Sequence, residues 1–207
     1  MWDKKHNACP DAFVVEGPQA GGHLGFHLEQ LENLDTFDFD KEIRDIIALT
    51  KEWEEKKGRA IPVIVAGGIS SRTDIDHYIS MGAAGVQIAT KFVPTHECDA
   101  HINYKNAYLQ AKKEDIIIVK SPVGMPGRAI RNPFMERVLL NRVPVKTCYS
   151  CLEHCNPKEI PYCITEALLN AAKGDVENSL LFCGANAYKE NEIRSVKEVM
   201  EELTMEQ

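Results

Sequence analysis

The stretch Ile61-Pro-Val-Ile-Val-Ala-Gly-Gly-Ile-Ser-Ser71 sets a continuous, β-branched apolar run against two glycines and a pair of serines. Such a run suits a strand buried on both faces, and strands are covered on both faces mainly in parallel sheets flanked by helices. Ser70 and Ser71 offer the side-chain oxygen that caps a helix N-terminus. The segment from Arg72 to Met81 places Ile75, Tyr78 and Ile79 on one face and stops at Gly82, and Gly85 to Ala89 then reads as another buried strand. Upstream the order repeats. Asp11 to Val15 is a short apolar run, and Phe39, Ile43, Ile46, Ile47 and Trp53 recur at helical spacing as far as Gly58, a C-terminal stop. The pattern is βαβαβ, and it predicts an α/β fold with a parallel sheet.

At 207 residues, 44% hydrophobic and 27% charged, the chain has the composition of a globular sequence with a real core. The net charge is −7 and no basic block interrupts it, which gives a nucleic-acid surface or a membrane-surface helix no electrostatic support. A small-molecule substrate is the expected partner. No apolar run approaches the roughly 18 residues of a membrane span, and the first residues lack a secretory signal's apolar stretch, so a cytoplasmic location is expected. Seven cysteines, an odd number, argue for thiols or metal ligands over a disulfide framework.

The first strand ends in Glu16-Gly-Pro-Gln-Ala-Gly-Gly-His23-Leu-Gly25, with four glycines around one histidine. Glycine lets backbone approach a ligand closely, and a histidine there has little bulk about it. A glycine turn with a solvated histidine is the plain alternative. In eight-stranded βα barrels, glycine-ended strands beside a helix N-terminus bind phosphate through backbone N–H groups. The AGGIS run from Ala66 and the QIATKF run from Gln87 sit where such loops should be. No Gly-x-Gly-x-x-Gly follows any strand, so a dinucleotide-binding Rossmann unit is not supported.

EGPQAGGHLG, IPVIVAGGIS and GAAGVQIATKF, in that order and with Gly68 and Gln87 nineteen positions apart, resemble the nitronate monooxygenase family, once called 2-nitropropane dioxygenases. That family is in turn similar to the flavin-dependent enoyl-ACP reductases. The resemblance covers about residues 10 to 95 by motif, and PYCITEAL with LLFCGANAY looks like the C-terminal tail of some members. It implies an FMN-binding βα barrel and an oxidoreductase acting on alkyl nitronates or nitroalkanes with dioxygen. His23 matches the family's catalytic histidine. Glu16, Gly21 and Gly22 match positions against FMN, and Gly67, Gly68, Gln87, Ile88, Ala89 and Thr90 match the phosphate-binding positions. Many relatives carry Gln in place of Glu16, and Gly-Thr-Arg-Phe where this chain has Ala89-Thr-Lys-Phe92.

A full βα barrel takes about 250 residues, whereas three barrel strands are recognisable here, resembling the family's last three. The expected architecture is therefore the C-terminal portion of a TIM barrel over residues 1–95, an active-site-covering segment over 96–147, and a cysteine-containing, mostly helical segment over 148–207. On this reading the chain is a truncated frame, an expressed fragment or a natural half. Alone it is expected to be inactive, and its expected protein partner is a missing N-terminal half or a second copy of itself. Two further readings stand beside nitronate oxidation: a flavin-dependent enoyl-ACP reductase, and a non-catalytic partial flavin barrel.

Beyond Phe92, Lys105 to Lys113 reads as a helix, Asp115 to Lys120 as a strand, and Ser121 to Gly127 as a loop entering an Arg-rich helix start. Met125 and Arg128 are candidate substrate-side residues, with a solvated surface connection the favoured alternative. Cys148-x2-Cys151-x3-Cys155-x7-Cys163 packs four thiols into sixteen residues. Zinc or an iron–sulfur cluster, with His154 a further ligand, is one reading. Buried or redox-active thiols are the favoured one, and no metal ligand is assigned. Cys9, Cys98 and Cys183 read as core or incidental residues, and His6, His27, His77, His96 and His101 as solvated. Glu192 to Leu203 reads as a docked amphipathic helix.

Overall fold

The computed structural model describes residues 5, 6, 8–34, 37–153 and 155–205. Its strands are β1 (Phe13–Glu16), β2 (Gly22–His23), β3 (Val63–Ala66), β4 (Gly85–Gln87), β5 (Ile116–Lys120) and β6 (Pro126–Ile130). The helices are α1 (Leu28–Glu32), α2 (Phe39–Lys57), α3 (Arg72–Ser80), α4 (Ile102–Gln110), α5 (Pro133–Leu140), α6 (Ile164–Ala172) and α7 (Val196–Thr204). None is long and apolar enough to cross a membrane.

β3 is the centre of a parallel sheet of order β1-β3-β4, with Val14 opposite Ile64 and Val65 opposite Val86. The crossovers are α2 and α3. On α2 the 3.6-residue period brings Ile43 and Ile47 onto Val63, Val65, Ile69 and Ala83, forming one core. Each such fully buried aliphatic side chain contributes about 1.5–3 kcal/mol relative to exposure. α2 ends where the sequence predicts: Gly58 takes φ +67°, a left-handed value that glycine adopts without strain, and its N–H donates to Glu54 O at 2.8 Å. Ser71 caps α3 in a reciprocal box with Asp74.

β1 and β4 depart from the buried strands expected of them. Phe13 and Val14 are 42% and 52% exposed, and β4 is half-buried with Gln87 exposed. Both are edge strands, each with one neighbour in the sheet, so only β3 meets the two-sided burial its composition calls for.

The second half of the chain is less helical than the sequence suggests. β2, β6 and β5 form an antiparallel sheet in that order, with Gly22 opposite Arg128 and His23 opposite Gly127. The segment from Pro126, read as a loop into a helix, is thus the middle strand of this sheet, and the helix starts only at Pro133 behind an Asn132 cap. α5 and α6 pack against the sheet through Phe134, Met135, Tyr162, Ile164 and Ala167.

The final helix docks through Val199 and Leu203 and through a partly buried charge cluster. Lys91 Nζ lies 2.9 Å from Glu202 and 3.6 Å from Glu190, and Arg194 joins both carboxylates. Two of the histidines expected to be solvated are exposed, as expected, and also make hydrogen bonds. His77 Nε2 meets Asp40 at 2.8 Å, and His101 Nδ1 accepts from Asn103 N at the start of α4.

Candidate functional site

The exits of β1, β3 and β4 open onto one cavity of about 300 Å3. Glu16, Gly21, Gly22, Gly67, Gly68, Gln87, Ile88, Ala89 and Thr90, the cofactor-side residues expected from the sequence, all line it. Two of them must be glycine. Gly68 takes φ +81°, and a Cβ there would stand 2.3 Å from Gln19 Oε1 and 2.7 Å from Gln19 Cβ. A Cβ on Gly21 would fall 2.7 Å from the backbone of Cys183.

The strand-exit side of the cavity offers free backbone donors. The amides of Gly68 and Ile69 have no hydrogen-bond partner among the described residues, and free N–H groups at a cavity are suited to an anionic group. The helix N-terminus expected to help is already occupied. Asp74 Oδ2 accepts from Ser70 N at 2.8 Å and Ser71 N at 3.0 Å. Although burial opposes it, this bonding holds the Asp74 carboxyl below its ordinary range. Among the residues that line the cavity, the free donors therefore lie at the strand exit. Burial pushes the Glu16 carboxyl above its ordinary value.

The far wall, which the sequence did not reveal, comes from Phe182, Cys183 and Gly184 with Tyr104 and Tyr108 of α4. The two tyrosine hydroxyls both donate to Phe182 O, at 2.8 and 2.7 Å, and burial raises the Tyr104 hydroxyl to about 12. Gly184 N donates to Thr90 Oγ1, Ala185 N to Gln19 O, and Asn186 Nδ2 to Gly68 O. Segment 182–186 is thereby laced to both glycine loops. Cys183, read as a core or incidental residue, is buried in the core and also lines this wall, and its thiol, pushed up to about 12 by burial, is a poor nucleophile.

His23 is beside this cavity and not among its lining residues. Its ring packs edge-on against Phe182, with centroids 4.9 Å apart, and its Nε2 is 2.7 Å from Ser121 Oγ. No hydrogen bond engages Nδ1 among the described residues. Burial lowers the imidazole below its usual 6.5, so the ring is neutral near pH 7. Ser121 is itself buried, and Val123 N donates to its oxygen at 3.3 Å. Tyr162 brings a fully buried hydroxyl alongside Ser121, with no hydrogen-bond partner of normal geometry.

Arg128 is neither a substrate-side group nor a solvated one. It is 5% exposed, and its Nη1 donates to Pro18 O and Ala20 O at 2.9 and 2.5 Å, which fixes the turn between β1 and β2. Met125 is exposed and outside the cavity. Cys148, Cys151, Cys155 and Cys163 line a separate cavity, and His154 lies outside the described residues.

Parallel βα units whose strand exits converge on a glycine-lined cavity define an α/β protein whose solved neighbours are of the TIM-barrel type. The family model described as nitronate monooxygenase matches residues 3–206, and the chain belongs to that family of oxidoreductases. A probable nitronate monooxygenase of Staphylococcus aureus strain Newman is 33% identical over 131 residues, 62% of this chain and 34% of that protein. FabK of Thermotoga maritima aligns with a TM-score of 0.65 at 25% identity, over 93% of this chain and 53% of that one. Nitroalkane oxidase of Streptomyces ansochromogenes aligns with a TM-score of 0.61 at 22% identity, over 93% and 50%. These likenesses bear out the resemblance seen in the motifs, including the relation to enoyl-ACP reductases. The chain spans about a third of the curated relative and about half of each solved one.

Proposed function

We propose that this chain supplies the phosphate-side wall and the base of an FMN-dependent oxidoreductase that acts on nitroalkanes and their nitronates with dioxygen. The observation that carries the reading is the convergence of all nine motif residues on one cavity, with the unpaired Gly68 and Ile69 amides at its strand exit. Those amides, with Thr90, would hold the FMN phosphate, and Glu16, Gly21 and Gly22 would face the rest of the cofactor. A bound flavin would supply the electron acceptance from the nitronate and the transfer to dioxygen.

The residues of this chain do the rest. In the tautomer with its proton on Nε2, His23 donates to Ser121 Oγ and keeps a lone pair on Nδ1, ready to take the acidic α-proton of a nitroalkane. The hydrogen bond to buried Ser121 and the edge contact with Phe182 fix the plane of the ring. Twin tyrosine bonds to Phe182 O fix Phe182 in turn. The exposed edge at β1, in a chain half the length of its solved relatives, supports completion of the site by further strands, and residues 1–95 are the part of the barrel that this chain contributes.

Titration with FMN and riboflavin tests the cofactor placement. FMN is expected to bind at least about tenfold more tightly, the worth of one or two charge-assisted hydrogen bonds. Gly68→Ala should remove that advantage while leaving riboflavin affinity unchanged. Equal affinities in the unaltered protein contradict the placement.

A further inference from the structure

We propose that Cys148, Cys151, Cys155 and Cys163 hold an iron–sulfur cluster of the [4Fe–4S] type through their four Sγ atoms. The inference rests on the cysteine cavity alone and is independent of the flavin reading. All four side chains line a single cavity of about 310 Å3, together with Val145, Pro157 and Ile160. None of the four is in a disulfide.

The room the thiols share bears on the choice between a single ion and a cluster. A tetrahedral zinc with Zn–S bonds of about 2.3 Å draws its sulfurs to within about 4 Å of one another. Among the described residues, no three Cys, His, Asp or Glu side chains stand so as to hold one metal ion. Four thiols lining one cavity of about 310 Å3 suit a cluster, which brings its own iron and sulfide and is bound at its corners.

The surrounding chain is organised to keep that space. Residues 141–163 join α5 to α6 without a described helix or strand of their own, and so long an irregular connection inside a compact domain is usually functional. Its ends are tied from outside: Arg142 donates to Ile160 O at 3.0 Å and Pro157 O at 2.5 Å, and Val143 N to Pro161 O at 2.8 Å. Between the first two cysteines, Ser150 takes φ +51°, the single positive φ of a non-glycine residue among the described residues. A left-handed residue costs roughly 1–2 kcal/mol outside glycine, and here it folds the Cys-x-x-Cys turn over the cavity.

Two of the sulfurs stand in defined positions. Cys163 is the N-cap of α6, and its side chain makes no capping bond. Its sulfur is thus not spent on the helix. Thr165 Oγ1 donates to Cys151 Sγ at 2.9 Å, the kind of hydrogen bond that tunes a sulfur ligand.

The test is metal analysis of the whole protein, purified without oxygen, stripped of flavin and reconstituted with ferrous iron and sulfide. About four irons and about four acid-labile sulfides per chain are expected, with a paramagnetic resonance signal on reduction by dithionite. Cys151→Ser and Cys163→Ser should lose both, and Cys9→Ser, outside the cavity, should keep them. A folded protein that takes up no iron, that takes one zinc in its place, or that keeps full iron in the Cys151→Ser/Cys163→Ser double variant overturns the proposal.

Discussion

His23 Nε2 and Ser121 Oγ lie 2.7 Å apart, although 98 residues separate them in sequence. The bond joins β2, which follows the glycine-rich turn after β1, to the turn between β5 and β6, and it occupies one of the two imidazole nitrogens. The other is left for chemistry. Ser121→Ala should leave flavin affinity unchanged and lower kcat for a neutral nitroalkane about tenfold, the value of one oriented hydrogen bond. A fall in KM-controlled binding with kcat intact would contradict a positioning role.

Tyr162 behaves differently in this account. Its hydroxyl is fully buried without a partner of good geometry, and burial raises it to about 12. An unsatisfied buried hydroxyl costs about 1–3 kcal/mol. Tyr162→Phe, which keeps the edge contact with Phe134, is therefore expected to leave thermal stability unchanged or to raise it. A loss of more than about 1 kcal/mol on denaturant unfolding would reveal a partner for that oxygen.

Lys91→Met probes the charge cluster under α7. It leaves Glu190, 6% exposed, with Arg194 as its nearest cation at 3.9 Å, and should cost about 2 kcal/mol or more at neutral pH. The pH dependence follows in sign. Burial already raises the Glu190 carboxyl above 4.5, and Lys91 opposes that rise. Without Lys91 the folded-state value moves higher still, so the penalty is complete above that raised value and vanishes below about 4.5. Denaturant unfolding of both proteins from pH 4 to 8 measures it; a penalty independent of pH would rule out Glu190 as its source.

What the sequence revealed and what it hid follow from how local each feature is. β3, the caps at Ser71 and Gly58, and the stripe on α2 were legible because period and capping chemistry act within a few residues. β6 was not legible: a proline heads it and glycines flank that proline, which reads as a loop, and its strand character comes from pairing with β2 and β5. The cavity's glycine half was carried by motifs, whereas Phe182, Cys183 and Gly184 lie about ninety residues further along. Tyr104 and Tyr108 sit four apart on one helix face, but their shared acceptor, Phe182 O, is more than seventy residues away. Arg128 read as a solvated arginine because its two carbonyl partners belong to the turn after β1.

The acid limb of the reaction should report His23. Burial holds the imidazole below 6.5, and only the neutral ring can accept a proton. With a neutral nitroalkane, kcat/KM should rise with pH through that value and be level by about pH 7. A profile still climbing above pH 8 would point to a different base.

The most direct test of the central claim is His23→Asn in the assembled enzyme, followed by rapid-mixing reduction of the flavin under anaerobic conditions. With a neutral nitroalkane the rate should fall by about 10² to 10⁴, the range of a lost general base. With the preformed nitronate it should remain near that of the unaltered enzyme. Unchanged reduction by the neutral substrate would contradict the account.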